Sequence, residues 1–396
     1  MSVNSMSFEQ AATVLNSLVQ QATGNIALTV TSLADYISVG QQLLQTGYDP
    51  LNIGISQMVS RTIFAYRPFD GILSSLDRDT NEWGAITRKV SAIQQPVENT
   101  DVYSLVDGQA SNMYAVRKPK LWQANFYGYD VWRDRVTITR QQLKNAVTNP
   151  SEMGRLLDLI LGTKSNEMEL SRVAFRRATI ANMIGALYAL SNTAQVRHLL
   201  TEYNQATGLA TPLTIQTVKQ PDNYGPFFRW AYAQIAKTSD MLRNPNALYH
   251  LNPNAGVILR HTPKEDQRLY IYSGALHDVD AQVLATTFNP DRVDSQLPAV
   301  TEAVDFFQSA QSPDEINVVP AYIDATGQQP ASPTAQNVTN IFALLCDRDA
   351  MGVNFYDQSV DVTPYEAAGK YYNYLYHDAH RYHCDVTENA VLFLLD

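Results

Sequence analysis

No stretch of this chain restricts its folding more than residues 149–192, NPSEMGRLLDLILGTKSNEMELSRVAFRRATIANMIGALYALSN. Asn149 stands at a capping position, Pro150 at a first helical position and Glu152 three residues after the cap, which is a capping-box arrangement. Apolar side chains then return at helical spacing: Met153, Leu156, Leu157, Ile160 and Leu161, and further on Leu170, Val173, Ala174, Ala181, Ile184 and Leu187. Gly162, followed by Thr163, Lys164 and Ser165, offers a place to bend or split the helix. The second piece alone, Ser165 to Leu190, would span roughly 39 Å at about 1.5 Å per residue. Strand-like sequence lies on both sides, so the expected class is α+β, with this helix in the core.

The length of 396 residues suits one large domain or two to three ordinary ones. Only 17% of residues are charged, so much of the surface is neutral and polar, which suits extensive protein–protein contact. The net charge of −10 argues against nucleic-acid binding over the whole surface. That charge is unevenly placed. From Asn252 to Asp396 there are 20 Asp and Glu against 7 Lys and Arg, leaving −13 there and +3 in the remainder. Such asymmetry lets a basic part of one copy meet an acidic part of another. Two cysteines, Cys346 and Cys384, make neither a disulfide framework nor a four-ligand zinc pattern and fit a reducing compartment. The first basic residue is Arg61, so no charged signal-peptide region is expected, and no apolar run approaches the ~20 residues needed to cross a bilayer. A soluble, intracellularly made protein is expected.

Residues 1–62 are nearly uncharged and read as an arm with amphipathic helices at Ser7 to Gln21 and Ser32 to Gln45. Ala85 to Ile93 alternates apolar and polar, and Leu121 to Thr139 is rich in β-branched and aromatic residues. Together they predict a long two-stranded excursion with a polar tip around Thr100 to Lys120. It carries Arg88, Lys89, Arg117, Lys118, Lys120, Arg133, Arg135 and Arg140, interleaved with Trp122, Phe126, Tyr127 and Trp132. This is either a basic face for nucleic acid or an arm that docks on an acidic neighbouring copy. The acidic final third favours the arm. Beyond the long helix, the pattern predicts a helix at Val196 to Gln205 and a strand at Thr211 to Val218. A helix opening at Gly225-Pro226 comes next, then strands at Ala255 to Leu259 and Arg268 to Tyr272, and a short helix at Asp278 to Phe288. The last segment reads as strands: Ile341 to Cys346, Gly352 to Tyr356, Lys370 to Val386 and Ala390 to Leu395. In the third of these Tyr372, Tyr374, Tyr376 and Tyr382 share one parity.

Catalytic motifs are absent: no G-x-x-x-x-G-K-[ST] loop, G-x-G-x-x-G, H-E-x-x-H or G-x-S-x-G. His377, His380, His383 and Cys384 would place ligands on both faces of a strand, so no single metal is expected there. Asp347-x-Asp349 and Asp278-x-Asp280 read as a turn and a helix start. No catalytic residue, cofactor or metal is expected.

The order of elements, with the helix Glu152 to Ala189, HDVDAQVLATTFNPDR (His277 to Arg292) and LCDRDAMGVNFYDQSVDVTPYEAAGKYYNYLYHDAHRYH (Leu345 to His383), resembles the Hong Kong 97-type major capsid proteins of tailed bacteriophages. It is most similar to those of small short-tailed, picovirus-type phages (podoviruses). The resemblance implies an α+β capsid fold. In that fold residues 1–62 are an N-terminal arm and 84–140 an extended β loop. Residues 63–83 and 141–213 form a peripheral domain with a long spine helix, 214–344 an axial domain, and 345–396 strands returning to the peripheral domain. No additional C-terminal immunoglobulin-like domain is expected. The resemblance further implies hexamers and pentamers of this chain closing into an icosahedral head shell around a scaffolding protein, with a portal at one vertex. DNA is packaged without sequence specificity, assembly takes place in the host cytoplasm, and no membrane is involved. The extended loop of one copy would lie over the spine helix of the next. Contacts between copies are then expected at Arg117, Lys118, Lys120, Arg133 and Arg135. The alternatives are another virion component, a portal or tail protein, or a metal-dependent hydrolase using the His377 to Cys384 run.

Overall fold

The computed structural model describes residues 72–78, 86–95, 116–127, 130–148, 164–279 and 300–396, with isolated positions at 15–16, 35, 38–39, 41, 107, 114 and 298. In chain order, strands β1 (Ile86–Ile93), β2 (Lys120–Tyr127) and β3 (Asp130–Thr139) precede helices α1 (Arg140–Thr148) and α2 (Lys164–Leu190). Then come β4 (Val196–His198), α3 (Leu199–Thr207), the short α4 (Ile215–Val218), α5 (Pro221–Leu242), β5 (Gln267–Tyr272) and α6 (Ser273–Val279). The chain finishes with β6 (Val300–Val304), β7 (Ile316–Val318), β8 (Gln336–Val338), β9 (Ile341–Asp347), β10 (Met351–Val362), β11 (Tyr371–Cys384) and β12 (Ala390–Leu394). No helix among the described residues is long and apolar enough to cross a membrane.

Helix α2, about 40 Å long at ~1.5 Å per residue, changes character along its length. Ile180, Ala181, Met183, Ile184, Ala186 and Leu187 are all buried, so the C-terminal half is covered on every side. The N-terminal half keeps Leu170 and Ser171 exposed and carries Glu169, Arg172, Arg176 and Arg177. The covered half lies on a five-stranded sheet of order β4-β12-β9-β5-β6, antiparallel in its middle and parallel at both ends. Every residue of β9 is buried, because the sheet is packed on both faces. On one face Leu344, Cys346, Leu392, Leu394 and Tyr270 meet α2. On the other, Leu345, Phe393, Val391, Leu269 and Ile271 meet α5 and α3 through Phe227, Phe228, Ala231, Ile235 and Leu199. A bulge between Phe393 and Leu394 interrupts the alternation, so that Phe342 and Ala343 both join the α5 face.

The second sheet is antiparallel, of order β10-β11-β3, with a bulge between Phe355 and Asp357. Tyr372, Tyr374 and Tyr376 are buried on one face of β11, as their alternation requires. Helix α2 touches strands of both sheets.

Several expectations are corrected. Leu121 to Thr139 is not one strand. It breaks after β2, and β3 pairs with β11 rather than continuing the excursion. Thr211 to Val218 holds no strand. Thr214 instead caps α4, its hydroxyl accepting from Thr217 N–H while the Thr217 hydroxyl accepts from Thr214 N–H, and this outweighs β-branched propensity. The helix expected from Val196 begins only at Leu199, because Val196–His198 adds a parallel strand to β12. The helix expected at Gly225-Pro226 starts one turn earlier, with Pro221 near its first position. Ala255 to Leu259 forms no strand, and Asn246 and Arg260 make only an isolated bridge. Nearly all of the two helices expected in the arm, most of the expected tip of the excursion, the helical stretch expected at 149–163 and most of the helix expected at 278–288 lie outside the described residues.

Candidate assembly interface

Strands β1 and β2 form an antiparallel hairpin running from Ile86 opposite Tyr127 to Ile93 opposite Lys120. Its two faces differ. The inner face buries Ile93, Trp122 and Ala124 against Ile258 and Ile323 of the same chain. Gln94 N–H donates to Val257 O at 2.9 Å. Gly256, at φ +148°, lets the backbone approach Ile93, where a Cβ would meet the Ile93 side chain at 2.5 Å. The outer face is open, with Val90 54% and Leu121 63% exposed, and Val116 beyond the strand end is exposed as well.

The five basic residues singled out in the sequence fall on two elements. Arg117, Lys118 and Lys120 are exposed at the tip-side end of the hairpin. There the Gln95 amide donates to Lys118 O at 2.8 Å and its oxygen accepts from Arg117 Nε, tying the two chain directions together. Arg133 and Arg135 are exposed on the outward face of β3, opposite His377 and Leu375 of β11. Of the remaining members, Arg88 is exposed on the outer face of β1, and Lys89 and Arg140 are used within the chain. Lys89 is received by Asp385 and Glu388, and Arg140 stacks 5.6 Å from the Tyr365 ring centroid.

Between the exposed half of α2 and β3 runs a groove of about 710 Å³, lined by Val131, Trp132, Ser171, Ala174 and Tyr376, with Glu167, Asp134 and Arg133 at its edges. Its floor is aromatic. His380 lies 3.8 Å from Trp132 and 4.2 Å from Phe175 between ring centroids. Beneath it, charges on α2 are paired with partners distant in sequence. Arg172 Nε donates to Asp378 at 2.9 Å, and Arg176 grips both Asp77 oxygens at 2.9 and 2.7 Å while also reaching Glu169 at 3.1 Å. Both guanidinium groups stand over the Phe355 ring, at 4.9 and 5.6 Å. Sequence reading missed this cluster. The spacing of Glu169, Arg172 and Arg176 on one helical face was the available signal.

The His377 to Cys384 run is split by the pleat. His377 points outward, 3.3 Å from Asp361, whereas His380 and Cys384 are buried on the other face, Cys384 donating to Thr179 O at 3.6 Å. Among the described residues no group of three His, Cys, Asp or Glu could hold a metal ion.

A long helix shared by two sheets, with a docked hairpin leaving one face open, defines the phage capsid-shell class of fold, and two solved structures agree. The capsid structure of Staphylococcus phage Andhra matches with a TM-score of 0.52 at 9% identity, covering 82% of this chain and 84% of that one. A chain in the structure of the head fiber and inner core protein gp22 of native bacteriophage P68 matches with a TM-score of 0.53 at 12% identity, covering 84% and 87%. No curated protein sequence matches the chain. The model of the Phi29-like phage major capsid protein family matches residues 15–394, and the chain belongs to that family. It is a phage major capsid protein, of Hong Kong 97-like fold, that builds the head shell of the virion from copies of itself. The portal or tail role and the metal-dependent hydrolase give way to that assignment.

Proposed function

We propose that the chain assembles as hexamers and pentamers into an icosahedral shell around a scaffolding protein in the host cytoplasm, with a portal at one vertex. The shell then encloses DNA without sequence preference, and the chain contributes structure rather than catalysis. The phage is of the small short-tailed type. One observation carries the contact between copies: the hairpin's outer face exposes Val90, Ala92 and Leu121 among polar residues, with Arg88 on it and Arg117, Lys118 and Lys120 at its end, whereas the α2–β3 groove is largely apolar with Glu167, Asp134 and Arg133 at its edge. Apolar side chains face apolar side chains and the basic end of the hairpin faces the two carboxylates, and a heterologous, ring-closing contact between copies buries the two surfaces together. In this reading Arg117, Lys118 and Lys120 meet the carboxylates of the neighbour's groove, and Arg133 and Arg135, on the outward face of β3, make a separate contact with another copy.

The domain reading is proposed in a form that follows the sheets. Residues 1–62 are the arm and β1–β2 the extended loop. The β10-β11-β3 sheet with the exposed half of α2 forms the peripheral part, and the five-stranded sheet with α5 the axial part.

The test is electron microscopy of the protein expressed alone and with candidate scaffolding proteins, beside a variant in which all five basic residues are reversed to Glu. Closed shells or capsomers from the native chain, and free chains from the variant, are the expected outcome. Shells of normal yield from the variant would remove these residues from the interface.

A further inference from the structure

The turn between β11 and β12 buries two carboxylates, Asp385 and Glu388, in a five-residue stretch where Val386, Thr387 and Asn389 are buried too. Buried carboxylates need partners, and theirs come from two other elements. Lys89 of β1 places its ammonium against both. Arg260, from the loop between α5 and β5, lies 3.5 Å from Glu388, donates to Thr387 O at 3.3 Å, and donates to the Ser91 hydroxyl of β1 at 2.7 Å. The second oxygen of Asp385 is held by Thr387, whose hydroxyl and N–H donate at 2.6 and 2.9 Å. The turn is fixed in its turn: Asp385 N–H donates to Ala350 O, and Leu251 N–H donates to Val386 O at 2.8 Å. One short stretch thus holds the hairpin, ends the three-stranded sheet and begins the central strand pair of the other sheet.

We propose that Lys89, received by Asp385 and Glu388, is a latch that sets the direction of the β1–β2 hairpin in the free chain, before any neighbour is met, and ties that direction to the turn joining the two sheets. The apolar underside at Trp122 and Ile93 is non-directional. The ammonium between two fixed carboxylates is directional, and it lies on the same face of β1 as Ser91 and Ile93, so it fixes the angle at which the apolar face lands. The latch is independent of the capsid role and holds whether or not shells form.

Amide hydrogen exchange on the full, unassembled chain tests it. In the native protein, residues 86–93 and 120–127 are expected to be protected. In Lys89→Met their exchange rises by at least about tenfold, the loss of charge-assisted hydrogen bonds, while 390–394 stays unchanged. Because Lys89→Met strips Asp385 of its cation and leaves Glu388 only Arg260, and so threatens the fold itself, the decisive variant is the triple Lys89→Met, Asp385→Asn, Glu388→Gln, which removes the latch with both carboxylates while Arg260 keeps the Thr387 carbonyl and the Ser91 hydroxyl. A folded triple variant with a fast-exchanging hairpin establishes the latch. One whose hairpin is as protected as in the native chain overturns it, since apolar docking with the Arg260–Ser91 and Gln94–Val257 hydrogen bonds would then set the hairpin.

Discussion

Arg176 shows how much a single side chain can hold together in this molecule. It reaches from the middle of α2 to Asp77, in a segment whose Leu73 and Leu76 are buried in the main core, and its head stands over Phe355 of β10. Truncation leaves Asp77 without its cation and Glu169 with only Arg172, at 3.8 Å. The cost of breaking a buried pair is ~3–5 kcal/mol. Asp77 is 38% exposed and partly solvated, which lowers the expectation for Arg176→Met to about 2–3 kcal/mol. A urea midpoint within error of the native one would contradict it. Two histidines set a pH dependence. His250 is buried and His383 half-buried, and desolvation pushes both below the ordinary value of 6.5; His250 is further engaged by Asn389 and the Ile258 carbonyl at 3.1 and 2.7 Å. The unfolded chain takes up these protons as pH falls below about 6.5 and the folded chain resists, so the unfolded state binds more protons. Their contribution is therefore complete above that value and is lost as pH falls toward the folded values. A melting temperature that declines between pH 7 and pH 5 is expected, and a flat profile would refute it. At this scale the sequence was only partly legible. Lys89 looks like its neighbours Arg88 and Arg117, and nothing local shows that its partners lie almost three hundred residues away.

At the scale of elements, α2 was legible because length and apolar content need no partner to be read. Its environment was not. Gly185, inside the last two turns of the helix, costs about 1 kcal/mol of helix propensity relative to alanine. The reason for it is tertiary: a Cβ there would lie 2.6 Å from a Val318 methyl and 3.4 Å from Pro320. Gly185→Leu is expected to force the β7 segment away from α2 and destabilise by about 2–3 kcal/mol, read as a lowered melting temperature. Native stability in that variant would mean that the β7 segment gives way freely. The strands were recognisable by texture, but texture is silent about pairing. β2 and β3 read as one element because both are β-branched and aromatic, and only long-range partners separate them, β1 for the first and β11 for the second. The tyrosine alternation of β11 was legible for the opposite reason: a period of two is a local property.

For the whole molecule, the succession of an uncharged arm, a basic hairpin, a long helix, a mixed insertion and aromatic strands was enough to place the class. The division of surface was not, because it depends on which charges the chain uses internally. The five basic residues proposed for contact are exposed, so their attractions are screened over roughly 8–10 Å at ordinary ionic strength. The apolar face of the hairpin is not weakened in that way. Assembly of the native chain is accordingly expected to slow as salt is raised from about 0.1 to 1 M, while formed shells persist. Light scattering that rises at the same rate across the series would place the driving force in the apolar surfaces alone.

Cys346 and Cys384, the chain's two cysteines, both sit in the core beneath α2, and burial raises both thiols far above their ordinary range. A soluble alkylating reagent reaches neither until the helix lifts from its sheets. The native sequence therefore contains a built-in clock: the rate at which thiols are lost, followed in free chains and again in shells, counts how often the spine of the molecule opens in each state.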